Sequence, residues 1–188
     1  MFNVLFSPTK SFEDAFHEPS MGSALITVLL SSVFISLAVF FMTSQLIPSA
    51  YFFVVNLVQW IVLSGIVWFF EFAHVRKRKK MTGTTFDQIA SVVGKLWTIN
   101  LVGSIFLAIV AFILPFATAN LMNLLGPLLA IFAIIVLLSW LIASFKMLKV
   151  VFGVEKWKLL FNWVLVNLIN IVTIAFVSSI LIKLFYLV

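Results

Sequence analysis

PSMGSALITVLLSSVFISLAVFFMTSQLIPSAYFFVVNLVQWIVLSGIVWFF, residues 19–70, contains no Asp, Glu, Lys, Arg or His. One helix crosses the hydrocarbon core of a bilayer in roughly 20 apolar residues, so these 52 residues suffice for two crossings. Five cations follow shortly after, Arg76-Lys77-Arg78-Lys79-Lys80, and such clusters mark the cytoplasmic flank of membrane spans. Two more charge-free windows lie further on, residues 96–145 and 159–182. The first two windows are interrupted near their middles, by Ile47-Pro48-Ser49 and by residues 115–127, which hold Pro115, Asn120, Asn123, Gly126 and Pro127. Proline cannot continue the helical hydrogen-bond ladder and Gly-Pro favours a turn, so each of these windows reads as a helical hairpin. The last window is one helix long. The expected fold is an all-α polytopic membrane bundle. Residues 1–20 form an interfacial segment and residues 21–188 a five-helix transmembrane domain, with spans at 21–46, 51–72, 96–114, 127–148 and 160–187.

Composition agrees with that class. The chain is 64% hydrophobic and 10% charged, with a mean hydropathy of +1.25, whereas about 25% of residues are charged in ordinary soluble domains. Its net charge of +6 would suggest nucleic acid as a partner of a soluble protein. Beside membrane spans the same cations serve orientation and contact with anionic lipid headgroups, and nucleic acid is not expected as a partner. The absence of cysteine excludes disulfides and thiolate zinc sites. Residues 1–19 carry Glu13, Asp14 and Glu18 and no signal-peptide pattern, so the first span is expected to be a retained anchor.

Orientation follows from counting. Lys10, the six cations from Arg76 to Lys95, and Lys146, Lys149, Lys156 and Lys158 place 11 of the 12 Lys and Arg on one side of a five-span bundle, and Lys183 alone on the other. The positive-inside rule then puts the N-terminus in the cytoplasm and the C-terminus outside. Trp68, Trp97, Trp140, Trp157 and Trp163 fall towards the cytoplasmic boundary and Trp60 deeper, with Tyr51 and Tyr186 at the opposite boundary, as an aromatic belt requires.

Between the spans, Ser7-Pro8 and the following residues to Phe16 suggest an N-capped short helix with Phe12, Ala15 and Phe16 on one face. It can lie in the interface with its rings in the acyl boundary or pack under the bundle. Thr85-Phe86-Asp87-Gln88 has capping-box spacing and opens a helix through Ile89, Val92, Val93 and Leu96. Both segments precede a hairpin, which suggests a weak repeat of cytoplasmic helix plus two spans.

Polar residues inside the spans pair at helical spacing: Asn56 with Gln59, Asn100 with Ser104, and Asn167 with Asn170. Amides in lipid turn inward and bond between helices, contributing about 0.6 to 2 kcal/mol each. Packing is the first reading, and a polar pathway for a solute the second. No Asp, Glu, Lys or Arg accompanies them at mid-membrane, which disfavours proton- or cation-coupled transport. Ser32 with Ser36, and Ser139 with Ala143, permit close helix approach. Glu71 and His74 have the Glu-x-x-His spacing that can place two metal ligands on one helix face. His17, near Glu13, Asp14 and Glu18, is the remaining histidine. An ion pair of Glu71 with Lys or Arg in the headgroup region, Lys146 or Lys149 included, is the simpler expectation. The chain has no His-Glu-x-x-His, Gly-x-Ser-x-Gly or phosphate loop, so neither a catalytic set nor a cofactor is expected.

The opening Leu5-Phe6-Ser7-Pro8 with Phe12 and Glu18-Pro19, the Gly83-Thr84-Thr85-Phe86 stretch, the passage from Trp140 to Gly153-Val154 and the five-span count together resemble the YIP family of multi-spanning membrane proteins, named for Ypt/Rab interaction. The resemblance spans nearly the whole chain. It implies a five-helix membrane domain with a cytoplasmic N-terminus and, for eukaryotic relatives, trafficking through Rab-type GTPases and sister membrane proteins. This chain lacks their long hydrophilic N-terminal region and Asp-Leu-Tyr-Gly-Pro motif, so Rab binding is not carried over. It is similar instead to compact prokaryotic members, which implies the prokaryotic inner membrane. The leading expectation is a non-enzymatic scaffold or adaptor that binds other integral membrane proteins, or itself, through its helices. Anionic lipid would bind at Arg76, Lys77, Arg78, Lys79 and Lys80. The alternatives are a small-solute transporter or accessory subunit of an export complex, and a membrane enzyme with a metal near Glu71, His74 and His17.

Overall fold

The computed structural model describes residues 3–78, 84–154 and 156–186. Among them the chain forms α1 (Asn3–Phe6), α2 (Pro8–His17), α3 (Met21–Thr43), α4 (Leu46–Arg78), α5 (Phe86–Ile113), α6 (Ala119–Phe152) and α7 (Lys156–Tyr186), with a 3-10 turn at Leu114–Phe116. No strand occurs among the described residues. The helices α3 to α7 are each long and apolar enough to cross a membrane. The protein is an all-α polytopic helix bundle.

The first hairpin turn lies just before Pro48, and the second lies at Pro115, in the 3-10 turn Leu114–Phe116, rather than at Gly126-Pro127. Helix α3 ends at Ser44, which adopts a left-handed conformation with φ 54°, and its N–H donates to the Phe40 carbonyl at 2.7 Å. Pro48 therefore falls inside the first turn of α4, where a missing N–H leaves no bond unmade. Likewise α6 begins after Thr118 and carries Pro127 within it, so Gly126-Pro127 makes no turn. Neighbouring helices and local adjustment let membrane helices tolerate an internal proline. At the other end of α6, Gly153 with φ 54° terminates the helix and its N–H donates to Lys149 O, the left-handed stop that glycine adopts without strain.

The capping box at Thr85 forms as expected. Gln88 N–H donates to Thr85 Oγ1 at 3.4 Å, and Thr85 N–H donates to Gln88 Oε1 at 2.9 Å. The helix it opens does not stop before the third span but runs on to Ile113 without a break. Here the suggested repeat differs between its halves. In the first, Glu18-Pro19 separates α2 from α3; in the second, no proline intervenes between Phe86 and Ile113. Ser7 stands at the N-cap of α2 but makes no side-chain cap. Phe12 and Ala15 of α2 are buried under the bundle, where α2 packs against α5 and α6, rather than in lipid. Gln88 Nε2 donates to Phe16 O at 3.2 Å, latching α2 to α5.

The core lies along α5, the most buried of the five spans; α6 and α7 are the least buried. Helix α5 packs most extensively on α3, and the closest approach is at Gly94, where an added Cβ would collide with the Cβ of Ala24 and stand 2.8 Å from its Cα. Ala90, Ser91 and Thr98 on α5, and Thr27, Val28, Ser31 and Ser32 on α3, are all buried. Small side chains let the two backbones approach, and dispersion contacts then hold them where lipid offers no hydrophobic drive. Ser36 Oγ donates to Ser49 O at 2.9 Å and Ala143 is buried. Trp97 is a core residue, not a member of an interfacial belt, and Trp60 is buried with it; their indoles donate to Asn56 Oδ1 and Ala90 O, each at 3.2 Å. Trp157, by contrast, is 83% exposed at the start of α7.

Candidate functional site

The helical spacings that pair the intramembrane polar residues also turn all three pairs towards one place. Asn56 and Gln59 from α4, Asn100 and Ser104 from α5, and Asn167 and Asn170 from α7 line a single cavity of about 630 Å³. Ser31 and Ile35 of α3 contribute to its lining, and the wall from α6 is Leu129, Phe132, Ala133, Val136, Leu137, Trp140 and Leu141. These positions lie near the middle of each helix, at hydrocarbon depth. The volume is within the roughly 300 to 1,000 Å³ of small-molecule sites. Among the described residues, no ionisable side chain lines it.

The six residues divide by what they bond. Asn56 is fully engaged between helices. Its Nδ2 donates to Ser32 Oγ at 2.9 Å and to Ser31 Oγ at 3.3 Å, while its Oδ1 accepts from Trp97. Ser104 Oγ and Asn167 Nδ2 turn back to carbonyls of their own helices, Leu101 O at 3.0 Å and Trp163 O at 2.8 Å. Among the described residues, the side chains of Gln59 and Asn100 make no hydrogen bond. Asn170 is 4% exposed, and its Oδ1 has no partner among the described residues. A buried acceptor left in this way costs about 1 to 3 kcal/mol. Gln59 and Asn100 thus present unused amides to the cavity, while the Asn170 Oδ1 is buried beside it, and because an amide presents both an acceptor and donors, they can bind a group that donates, accepts or does both.

Helices α6 and α7 touch sparingly. Trp163 clasps them: its indole donates to Ser144 Oγ at 2.9 Å, and its ring lies 6.1 Å from Phe145. Beyond that clasp, Phe132 of α6 stacks on Phe106 of α5 with ring centroids 3.8 Å apart. The apolar wall from α6 was not legible in the sequence, because Leu, Ile and Phe on a span read the same whether they face lipid or a cavity. Gly103 was the available signal. Its missing Cβ would lie 3.3 Å from Val136 Cγ1, on the cavity side of α5.

The remaining candidates stay apart from this site. Glu71 is 6% exposed with Oε2 lacking a hydrogen-bond partner among the described residues, and neither Lys146 nor Lys149 pairs with it. Among the described residues Glu71 makes no ion pair, and its carboxylate is buried in the bundle; the side chains of Arg76 to Lys80, its other expected partners, lie outside the described residues. His17 ends α2 with its ring edge against Phe16. No group of three or more potential metal ligands gathers among the described residues. Lys79 and Lys80 lie outside the described residues, as do the side chains of His74, Arg76, Lys77 and Arg78. Compared with family models, curated proteins and solved structures, the chain matches none.

Proposed function

We propose that the protein binds a small uncharged molecule within the plane of the membrane, as a carrier or permease does its solute. The observation that carries this is the convergence of Gln59, Asn100 and Asn170, three amides with unused hydrogen-bonding capacity, on one cavity without ionisable lining. Amides used only as packing would be engaged as Asn56 is. An adaptor for other membrane proteins draws support from the exposed apolar faces of α6 and α7, among them Ile131, Ile134, Leu138, Leu168, Val172 and Phe176. Hydrocarbon covers those faces equally well, so the cavity ranks first. YIP-family membership is proposed from the sequence motifs alone, and no reaction is proposed with it.

The test is mass spectrometry of the intact protein released from native membranes in mild detergent. A non-covalent adduct is expected on the native protein and lost from Ala133→Trp, which fills the cavity from its α6 wall. An adduct unaffected by that substitution, or none at all, removes the proposal. We also propose that the basic end faces the cytoplasm of a prokaryotic cell and that residues 76–80 meet anionic headgroups there. About 1 kcal/mol per cation near such a surface is available. Neutralising all five should weaken sedimentation with anionic vesicles and disturb orientation in a cysteine-accessibility assay; unchanged behaviour in both would count against it.

A further inference from the structure

The cavity is two-faced, and its open side is at hydrocarbon depth. One side carries the amides of α4, α5 and α7; the opposite side, from α6, is Leu129, Phe132, Ala133, Val136 and Leu137. Two lining residues are also strongly exposed, Leu137 of α6 at 57% and Ile171 of α7 at 66%. They stand on α6 and α7, which touch sparingly, so the cavity opens between these two helices towards the space that lipid tails occupy. Asn170, whose Oδ1 is buried and unpartnered among the described residues, immediately precedes Ile171.

We infer that the occupant is a neutral single-chain amphiphile, with a hydroxyl or amide head, that enters sideways from the bilayer between α6 and α7. The inference rests on the cavity reading above. A hydroxyl or N–H in the head bonds the amides of Asn100 and Gln59, which line the cavity without partners among the described residues. The tail lies along the α6 wall and leaves between Leu137 and Ile171. Charged heads are disfavoured because an ion in this lining would have no counter-charge, and burying one without a partner is far more costly than burying a hydroxyl. A wholly hydrophilic solute would leave the α6 wall without an apolar partner and would have to pass the apolar rim.

The probe is hexadecanol carrying a tail diazirine, photolysed with the protein in nanodiscs. Crosslinks are expected on peptides containing Phe132, Leu137 and Ile171, competed by plain hexadecanol and not by palmitate. Asn100→Leu should weaken labelling about tenfold, the loss of one hydrogen bond to a cavity amide, and Ile171→Trp should slow it by obstructing the opening. Thermal unfolding of both variants near the native value shows that the loss is local. Labelling spread evenly over the lipid-facing surface, or equal competition by palmitate, overturns the amphiphile. If radiolabelled glycerol instead binds in a manner that Ala133→Trp abolishes, the cavity reading stands and the class inferred here is wrong. If neither probe binds, both fall.

Discussion

Asn56 and Asn170 are the same residue type lining the same cavity, yet one is saturated and the other is not. Asn56 sits where α3, α4 and α5 come together. Ser31, Ser32 and Trp97 reach it because Gly94 and Ala24 let the backbones nearly touch. Asn170 stands on α7, which touches α6 sparingly, in a cavity whose lining includes the large rings of Trp140, Trp163 and Phe132, and no described side chain reaches its Oδ1. An amide in a membrane helix is therefore saturated or left over according to the size of the residues around it, since small neighbours bring partners within reach and large ones hold them off.

The largest expected effect is at the tight seam. Gly94→Leu forces α3 off α5, since the added atoms meet backbone and not a movable side chain, and no monodisperse folded protein is expected in size-exclusion chromatography. Gly94→Ala should lower stability by about 1 to 3 kcal/mol, the usual cost of overpacking. The same change at the loose seam, Gly103→Ala, meets only a Val136 methyl at 3.3 Å. It should lie between neutral and about 1 kcal/mol stabilising, because alanine favours helix over glycine by roughly that amount. Equal losses at Gly94 and Gly103 would erase the contrast between the seams.

Asn56→Leu comes next. It strands the Trp97 indole, and a loss of about 1 to 2 kcal/mol is expected in steric-trap or denaturant unfolding. Adding Trp97→Phe should recover part of it, since removing both partners is cheaper than removing one. The smallest effect is expected at Asn170→Leu, which removes an unpartnered buried acceptor. Stability should stay level or rise by up to about 1 kcal/mol. A loss as large as that of Asn56→Leu would mean that Asn170 is packing after all.

Much of the fold was legible because lipid makes the sequence simple. Charge-free windows longer than one bilayer crossing demand hairpins, and the Thr85–Gln88 box announced its helix correctly. The prolines misled because Pro48 and Pro127 are tolerated within helices, the first in an opening turn and the second inside a membrane span. Trp97 misled because an indole near a boundary is equally at home in the core when an amide accepts its N–H. The polar half of the cavity could be read from residue spacing, but its apolar half could not. Nor could the sequence reveal that Asn56 would be saturated and Asn170 left over, because that depends on how far apart two helices stand.

The pairing of α3 with α5, across the intervening α4, has a consequence for biogenesis. During synthesis α3 and α4 enter the bilayer before their main partner exists, with Thr27, Ser31 and Ser32 of α3 still facing lipid. Asn56 lies on α4 and already bonds Ser31 and Ser32, so the first hairpin carries its own polar clasp. That clasp satisfies part of the exposed hydroxyl row while the ribosome completes α5. When Trp97 arrives it finds Asn56 Oδ1 already held in position, and the last span to pack against the clasp is guided to its register by a bond made one hairpin earlier.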